Sequence, residues 1–548
     1  MKRIIACIAA LALIGTGLCS CSESTEQAEV TETTADDTRQ QIVDTDVPDG
    51  MFEDDDHYRE TAGAVNITLA DGQSKADGGG VSVEGDVVTV TAPGTYRLSG
   101  VLTDGQLAVD VKNKGKVQLV FDGAEITSKG SAAVYVADAG KVTAVLADGS
   151  HNRFASVEEF AQNDIGIDAA VFSKSDITFT GNGSLEINSE KGHGAVSKDD
   201  LKFTGGSYNI VSANKALSAN DSLCFNGGSY VIESGADGIQ CENTENTELG
   251  YIYAANCDFD INSGRDCFDG SGSVNIESGS FKLTTGGGSV NAPEKAENPM
   301  GRFGRDLQQT SETENTGSYK ALKSGGALVI SDGEFTIDSA DDALHSNSTL
   351  SVNGGNFDIK AGDDAVHADD VLEISDGIIK ADCYEGIEAD VVNILGGDID
   401  ISASDDGMNA AGGNDEESYD KFRGNANAGI SISGGTLKIR SDGDGIDSNG
   451  YLRVSGGNVY ISGPFRTGNG AVDYQTEGVI SGGTFIAAGS SEMSMNFGTD
   501  STQCSVMHTF SQTHNEGEEI SFTGGDLNIS FAPENKYQSI VISTPDIK

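Results

Sequence analysis

The chain has 548 residues, and its 86 Asp and Glu against 34 Lys and Arg give a formal net charge of −52 at pH 7. A surface this acidic repels phosphate backbones and anionic lipid, so the composition excludes a nucleic-acid-binding protein and favours cations, or neutral and cation-bridged ligands, as partners. The 72 Gly, 7 Pro and absence of Trp are typical of many short β-strands joined by tight turns.

The N-terminal segment has the features of an export signal. A basic start, MKR, precedes an apolar run over residues 4–17 that cannot span a bilayer as a mature helix. The run ends in LCSC, which resembles a bacterial lipobox, so we expect a signal peptide over 1–20 and lipid attachment at Cys21; ordinary cleavage nearby is the alternative. Residues 21–62 are polar and acidic and are predicted to form a disordered tether. We therefore expect a secreted protein that is lipid-anchored to the outer face of the bacterial membrane.

Six cysteines remain outside the export segment. Their spacing matches no zinc-binding pattern, so we expect buried thiols, with one disulfide within residues 224–267 as the alternative. These cysteines are Cys224, Cys241, Cys257, Cys267, Cys383 and Cys504.

A repeat of 21 to 22 residues organises the rest of the chain. The segments ADDALHS, GDDAVHA, CYEGIEA and SDDGMNA place an acidic residue at Asp342, Asp364, Glu385 and Asp406, and DGDGIDS continues the series at Asp444. Between them, segments such as TLSVNGGNFDIKA alternate apolar and polar residues around a glycine turn, which is the period of β-strands. Each repeat has too few apolar residues to bury a face alone and must stack on its neighbours. The sequence therefore predicts an all-β protein, a parallel β-helix.

The repeat also sets the predicted domain boundaries. Residues 63–160 lack the acidic motif and are predicted to form an N-terminal β cap with the first coils, because the terminal units of a stack must hide its open apolar end. The β-helix is predicted over 161–497, with a C-terminal β segment over 498–548. Residues 286–318 and 411–427 interrupt the repeat and are predicted to be loops. The apolar motif position should form an interior ladder of Ile239, Phe268, Leu322, Leu344, Val366, Ile387, Met408, Ile446 and Val472.

Stacking the acidic positions places like charges about 4.8 Å apart, the spacing of paired strands. Each neighbouring pair then repels by about 3 kcal/mol at an effective dielectric constant near 20. Ca²⁺ accepts six to eight oxygen ligands in flexible geometry, so we predict Ca²⁺ between coils; Mg²⁺ suits the site less because it demands a tight octahedron. A solvated acidic face with diffuse counterions is the alternative. The predicted metal ligands are Asp341, Asp342, Asp363, Asp364, Glu385, Glu388, Asp405, Asp406, Asp444 and Asp447.

Two pairs of basic residues interrupt this acidic pattern. His345 and His367 share a column with mixed polar residues, so we predict a hydrogen-bonding role for them rather than a zinc site. Lys320 and Lys323 stand in the segment KALKS, where other repeats are acidic. A lysine acts as the base of a polysaccharide lyase only if its pKa is lowered, so we favour neutralisation of Asp342 and predict no catalytic residue.

Several blocks in order resemble a known family. They are DDAVHAD, YEGIEA and DDGMNAAGG, with GTYRLSG near the start and GNGAVDY and GGTFIAAGSS near the end. Together they resemble the bacterial cell-surface carbohydrate-binding β-helix proteins, which bind calcium and cellulose- or pectin-type polysaccharides. The resemblance covers nearly everything from about residue 64. It implies a right-handed helix similar to pectate-lyase folds, calcium on the acidic ladder, and binding without catalysis. Asp332-Gly333 and Asp376-Gly377 depart from it where Gly-Gly is usual.

The sequence as a whole predicts a monomeric, lipid-anchored protein that binds plant-type polysaccharide with Ca²⁺. The glycan is polygalacturonate or pectin, or a cellulose-like glucan; the lack of Trp favours the polyuronate, since flat cellulose surfaces are usually gripped by coplanar aromatic rings. The protein is predicted not to be an enzyme. A calcium-dependent, pectate-lyase-like enzyme is the alternative of the enzyme class, and a structural adhesin is a further alternative.

Overall fold

The computed structural model describes residues 51–57, 63–161, 166–292, 317–410, 427–466, 468–524 and 527–547. The predicted signal peptide, Cys21, and most of the predicted tether and of the two predicted loops lie outside these residues. The described part contains two short 3-10 helices and no α-helix. Within this part of the chain, none of the helices has the length and apolar character that crossing a membrane requires.

The chain forms two compact units. Among the described residues, the N-terminal unit comprises those within 51–292 and 317–341, and the C-terminal unit comprises those within 342–547. The regular secondary structure of both units is almost entirely short strands in their described residues, which confirms the all-β prediction.

The 3-10 helices Asp54–Asp56 and Ser289–Asn291 belong to the N-terminal unit. Its strands are β1 Val65–Ala70, β2 Lys75–Ala76, β3 Val81–Glu84, β4 Val87–Val90, β5 Gly94–Leu102, β6 Gln106–Asp110, β7 Lys116–Ser128, β8 Val134–Asp138, β9 Lys141–Leu146, β10 His151–Ser156, β11 Ala169–Ser173, β12 Ile177–Gly181, β13 Ser184–Ser189, β14 His193–Ser197, β15 Leu201–Thr204, β16 Ser207–Ser212, β17 Leu217–Ala219, β18 Ser222–Asn226, β19 Ser229–Ser234, β20 Ile239–Cys241, β21 Tyr251–Ala255, β22 Cys257–Ser263, β23 Phe268–Gly270, β24 Val274–Ile276, β25 Gly279–Thr285, β26 Leu322–Ser324, β27 Leu328–Ile330 and β28 Glu334–Ser339.

Most strands of the N-terminal unit pair in parallel with the equivalent strand of the next repeat, which gives three ladders. The first ladder runs through β10, β13, β16, β19, β22, β25 and β28. The second runs through β8, β11, β14, β17, β20, β23 and β26, and the third through β9, β12, β15, β18, β21, β24 and β27. Antiparallel pairs β1–β2 and β3–β4 occur near the start of this unit, within the predicted cap.

In-register pairing stacks equivalent side chains in rows. In the first ladder, Tyr208, Tyr230, Phe259, Phe281 and Phe335 are successive register partners. Their rings stack with centroids 4.6 to 5.5 Å apart. Because alternate residues of each strand point to one face, such buried rows build a core along the stack.

The C-terminal unit repeats this arrangement. Its strands are β29 Leu344–Ser346, β30 Thr349–Val352, β31 Asn356–Ala361, β32 Asp364–Ile374, β33 Ile378–Cys383, β34 Glu385–Ile394, β35 Asp398–Ala403, β36 Met408–Ala410, β37 Gly429–Ile432, β38 Thr436–Ser441, β39 Ile446–Ser448, β40 Tyr451–Val454, β41 Asn458–Ser462, β42 Glu477–Ile480, β43 Thr484–Gly489, β44 Ser505–His514, β45 Ile520–Gly524, β46 Leu527–Phe531 and β47 Tyr537–Ser543. Parallel pairing joins successive repeats as far as β43, after which β47 pairs antiparallel with both β43 and β44.

The predicted interior ladder is confirmed. All nine apolar residues named for it, from Ile239 to Val472, are buried, and none is more than 3% exposed. Cys224, Cys241, Cys257, Cys267 and Cys383 are also buried and carry free thiols. The prediction of buried thiols is therefore confirmed for these five, and the disulfide considered within residues 224–267 is not formed. It was wrong for Cys504, which is only half-buried and is disulfide-bonded.

The two departures from Gly-Gly have a local explanation. Gly333 and Gly377, at the second turn position, have φ of 142° and 112°, in the region that favours glycine. Gly396, at the first position of a neighbouring repeat, has no such φ. An Asp is therefore tolerated at the first position, where the Oδ1 atoms of Asp332 and Asp376 each accept a hydrogen bond from the following glycine N–H at 2.8 Å.

Residues 51–57 correct the predicted extent of the disordered tether. Asp56 is fully buried in the N-terminal unit, and its carboxylate contacts Lys141 Nζ at 2.6 Å. Thr204 Oγ1 donates to the Asp56 carbonyl at 2.7 Å, and Lys202 Nζ donates to the Met51 carbonyl at 2.8 Å. A polar segment can pack in this way when each buried charge meets an opposite charge, so the tether prediction was wrong for these residues.

Candidate functional site

The acidic motif position has a defined structural task in the C-terminal unit. Asp342, Asp364 and Asp406 are all buried. Asp342 Oδ1 accepts the backbone N–H of Asp364 at 3.0 Å, and Asp406 Oδ1 accepts the backbone N–H of Asp444 at 2.6 Å. In both cases a carboxylate of one repeat binds the main chain at the same motif position of the next repeat. One reason for the recurring acid is therefore to join successive repeats.

A second column lies three residues further along each motif. Its members are successive register partners: His345, His367, Glu388, Asn409 and Asp447. Where this column holds histidine, the imidazole binds the acid of its own motif. His345 Nδ1 and His367 Nδ1 each lie 2.8 Å from an Oδ2 atom, that of the aspartate three residues earlier. The two rings stack with centroids 4.7 Å apart. These contacts agree with the predicted hydrogen-bonding role.

The electrostatics of His367 distinguish its surroundings from a zinc site. Burial disfavours the charged ring, but the hydrogen bond and charge of Asp364, helped by Asp342 and Glu388, prevail and raise the pKa of His367 to about 10. The ring is therefore protonated at neutral pH. Because both ring nitrogens of an imidazolium carry protons, the group formed by Asp364, His367 and Glu388, whose ligand atoms lie within 4.8 Å of one another, acts as an ion-paired cluster.

A cluster of carboxylates lies in the repeats whose second column holds Asn409 and Asp447 in place of histidine. Carboxylate oxygens of Asp406, Asp444 and Asp447 lie within 4.8 Å of one another. Burial, the charge of Asp444 and then that of Glu385 raise the pKa of Asp406 well above its ordinary value. Gathering three carboxylates at this distance is costly, so the arrangement suits a bound cation.

Asn409 stands next to this cluster in the second column. It is the register partner of Asp447 and is only 2% exposed. Its Nδ2 donates to Glu388 Oε1 at 3.3 Å, while its buried Oδ1 has no hydrogen-bond partner among the described residues. Rotating the amide would place oxygen against the Glu388 carboxylate, so charge fixes this orientation. A buried carbonyl oxygen without a donor is a costly feature that a cation would offset.

The remaining predicted ligands are placed differently. Asp341 belongs to the N-terminal unit, where its carboxylate lies 3.1 Å from Lys320 Nζ. Asp363 offers a carboxylate oxygen within 4.8 Å of one from Asp342. Asp405 accepts the Tyr384 hydroxyl at 2.9 Å. The ten predicted ligands are thus divided among several clusters.

The N-terminal unit contains an equivalent acidic group with a lysine in it. Carboxylate oxygens of Asp237, Asp266 and Asp269 lie within 4.8 Å of one another. Lys323 Nζ lies 3.3 Å from Asp266 Oδ2 and 3.1 Å from Asp269 Oδ1. Burial and the charge of Asp266 raise the pKa of Asp237 to about 6. The lysine ammonium therefore supplies a cation of the protein's own to these carboxylates.

This lysine is not suited to remove a proton. Burial opposes its charged form, but Asp266 and Asp269 prevail and hold the pKa of Lys323 above its ordinary value. A general base needs a lowered pKa near the working pH. Both lysines contact carboxylates, as a neutralising role requires: Lys320 contacts Asp341, and Lys323 contacts Asp266 and Asp269. Neutralisation of Asp342 itself stays a prediction.

Comparison with known proteins identifies the family. The model of the carbohydrate-binding domain-containing proteins matches residues 84–365 and 363–535. The chain belongs to this family. A carbohydrate-binding domain-containing protein of Acetivibrio thermocellus is 36% identical over 214 residues, which cover 38% of this chain and 75% of the relative. The family assignment confirms the coarse prediction of a carbohydrate-binding protein.

A solved structure is also similar. It is a polysaccharide lyase-like protein from C. thermocellum, determined as a gadolinium derivative, with 28% identity over 57% of this chain and 96% of that one. The TM-score is 0.37, too low for a site to be transferred between the two proteins.

Asp269 and Asn409 are among the site residues that are absent from the predicted ligands. Asp266 stands at the acidic position of the segment GRDCFDG, and Asp269 follows it by three residues, as Glu388 follows Glu385 and Asp447 follows Asp444. The same spacing would have identified Asp269. The second omission is Asn409 as an oxygen donor, because only its hydrogen bonds show that Oδ1 is left over.

Proposed function

We propose that the C-terminal unit binds Ca²⁺ at Asp406, Asp444, Asp447 and Asn409, and that the protein uses bound calcium to bind plant-type polysaccharide. The observation that carries the proposal is the buried, unpartnered Oδ1 of Asn409 beside three clustered carboxylates within the described part of the unit. The family membership supports carbohydrate as the partner.

The donor set suits calcium by its chemistry. All four side chains offer oxygen, and an amide oxygen and carboxylates are ligands that Ca²⁺ prefers. Zinc sites usually include nitrogen or sulfur, and the five described free cysteines all lie buried in other parts of the units. When bound, calcium supplies positive charge to the carboxylates and open coordination positions to a polysaccharide oxygen.

The parallel ladders of each unit support a right-handed parallel β-helix as the architecture. In such a helix the strands of one ladder belong to successive coils, which is the pairing of every third strand found in the N-terminal unit. Right-handedness is the expected sense for parallel crossover connections. Equivalent side chains then recur at the strand spacing, as a repeating glycan requires of its binding surface.

An acidic glycan fits the charge of the protein better than a neutral one. With a net charge of −52, the surface repels a polyuronate unless cations bridge the two. Calcium held by protein carboxylates and shared with a uronate carboxylate meets this requirement. We therefore take polygalacturonate or pectin as the first glycan to test and a cellulose-like glucan as the second.

Export and lipid attachment place this binding on the cell surface. The lipobox-like LCSC segment ending at Cys21 supports an anchor on the outer face of the bacterial membrane. A monomer is sufficient for the proposed binding, because each ligand of the calcium cluster comes from one chain.

The test is retention of the full chain on immobilised polygalacturonate in calcium, in magnesium and in chelator. We expect retention in calcium alone, and we expect Asp447→Asn to weaken it at least tenfold. Asp398→Asn is the matched control, because Asp398 is an exposed carboxylate on β35 of the same unit. Equal retention of wild type in calcium and in chelator, or an Asp447→Asn protein that is retained like wild type, would contradict the proposal.

A further inference from the structure

A cavity in the N-terminal unit differs in charge from the acidic clusters. Its volume is about 140 Å³, and it lies beside β14, β17 and β20. The side chains that carry its chemistry are Asp168, His193, Lys198, Lys215, Gln240 and Glu242. Two lysines and a histidine in one cavity are unusual in a chain with 34 Lys and Arg against 86 Asp and Glu.

Two buried polar atoms at this cavity have no hydrogen-bond partner among the residues that the structure describes. They are Asp168 Oδ1 and His193 Nδ1. His193 Nε2 faces Asp168 Oδ2 at 3.8 Å. Burial lowers the pKa of His193, and Lys215 and Lys198 lower it further against the opposing effect of Asp168. In the neutral ring the proton belongs on Nε2, beside the carboxylate, so Nδ1 is an acceptor. Both atoms are therefore acceptors for ligand hydroxyls.

The lysines are held in place by their neighbours. Gln240 is 8% exposed, and its Nε2 donates to Asp269 Oδ2 at 3.0 Å. This hydrogen bond turns Gln240 Oε1 to Lys215 Nζ, which donates to it. Lys198 Nζ lies 5.7 Å from the centroid of the buried Phe172 ring, a cation–π distance. Two positioned ammonium groups can bind an anion with little loss of conformational freedom on binding.

The combination selects a ligand with both a carboxylate and hydroxyls. We propose that this cavity is a calcium-independent subsite for one uronate residue of an acidic polysaccharide. Lys198 and Lys215 bind the uronate carboxylate, while Asp168 Oδ1 and His193 Nδ1 accept hydrogen bonds from its hydroxyls. A neutral sugar would leave the lysines without an anion, and a simple anion would leave the two acceptors without donors. The inference rests on the proposed function in that the ligand is a polysaccharide, but it requires none of the calcium cluster.

The test is calorimetric titration of the full chain with trigalacturonate in the presence of chelator. A second titration uses its methyl ester, which keeps the hydroxyls and removes the charges. We expect wild type to bind the acid in chelator and the ester at least tenfold more weakly. Lys215→Met should weaken binding of the acid at least tenfold and abolish the difference between the two probes. Asp168→Asn, a near-isosteric change, should weaken binding of both probes.

Lys282→Met is the matched control. Lys282 is an exposed lysine of the same unit, 3.0 Å from Asp260, and its loss should leave both titrations unchanged. Thermal melting of each variant separates lost binding from lost folding. The inference is overturned if wild type shows no binding in chelator, or if a folded Lys215→Met protein binds both probes like wild type. Either result leaves calcium-dependent retention untouched, so failure here and failure of the proposed function are distinguishable.

Discussion

Asp406→Asn should change stability in opposite directions with and without calcium. Asn keeps an Oδ1 atom that can accept the Asp444 N–H, which lies 2.6 Å from Asp406 Oδ1. It removes a buried negative charge from the neighbourhood of Asp444 and Asp447. In chelator the variant should therefore be more stable than wild type, and in calcium it should lose most of the stabilisation that the ion gives.

The size of the effect follows from the cluster's geometry. Two carboxylates at 4.8 Å repel by about 3 kcal/mol at an effective dielectric constant near 20. Burial and the charge of Asp444 hold the pKa of Asp406 in the folded protein well above its ordinary value. Stability is thus highest below the unfolded pKa and is lost as pH rises through the folded pKa. Protonation of the carboxylate limits the destabilisation of wild type. We therefore expect the variant to be about 2 kcal/mol more stable than wild type at neutral pH in chelator, which raises its Tm by about 4–8 °C.

In wild type, bound calcium should stabilise the folded state and so offset this repulsion. A ligand at 100 times its Kd stabilises the folded state by about 2.7 kcal/mol. The assay is thermal unfolding followed by circular dichroism, in chelator and in calcium, for wild type, Asp406→Asn and the exposed control Asp398→Asn. The control should stay within about 0.5 kcal/mol of wild type under both conditions. An Asp406→Asn protein that is less stable in chelator, yet gains as much from calcium as wild type, would refute the reasoning.

Three further predictions address anchoring, catalysis and pH. Cys21→Ser should release the protein from the membrane fraction or leave its precursor unprocessed, whereas unchanged fractionation and maturation would favour ordinary signal cleavage. Lys320→Ala and Lys323→Ala should leave retention on polygalacturonate within a few-fold, and neither wild type nor variants should form unsaturated uronides; product that disappears in one variant would make the protein a lyase. Burial and a neighbouring carboxylate raise the pKa of Asp199 to about 6, so its contribution to stability is present below about pH 4 and is lost as pH rises through 6. Asp199→Asn should make the free energy of unfolding, measured by denaturant titration, less dependent on pH in this range. An unchanged dependence on pH would contradict the prediction.

The fold could be predicted from the sequence because its determinants are local and repeated. Alternation on both sides of the glycine turns predicted the strands, and the aligned motifs predicted the buried row that includes Phe268 and Leu344. Contacts between segments that are far apart in the chain do not follow from a local repeat and could not be predicted. Asp56 follows a polar stretch, and its contacts with Lys141 and Thr204, far along the chain, explain its burial.

The sequence predicts which residues of the candidate site share a column, but it does not predict which atoms contact one another. The sequence places an acid at each motif, and it cannot show that the Oδ1 atoms of Asp342 and Asp406 bind the main chain of the next repeat. It also cannot show that the Asn409 amide is turned by Glu388. Both are outcomes of strand register, which brings together residues 21 to 38 positions apart.

The residue in the second column, of the same repeat or of the next one, therefore sets what a ladder acid can do. Lys323 brings an ammonium to Asp266, and His367 brings an imidazolium to Asp364, so these carboxylates meet a cation from the protein itself. In the repeats with Asn409 and Asp447 the same column offers oxygen. Asp266, Asp342 and Asp406 each accept a backbone N–H of the next repeat, whichever residue the second column holds. In the proposed function, cation binding is then a property of particular neighbouring repeats, and one substitution in the second column should add or remove it while the fold is kept.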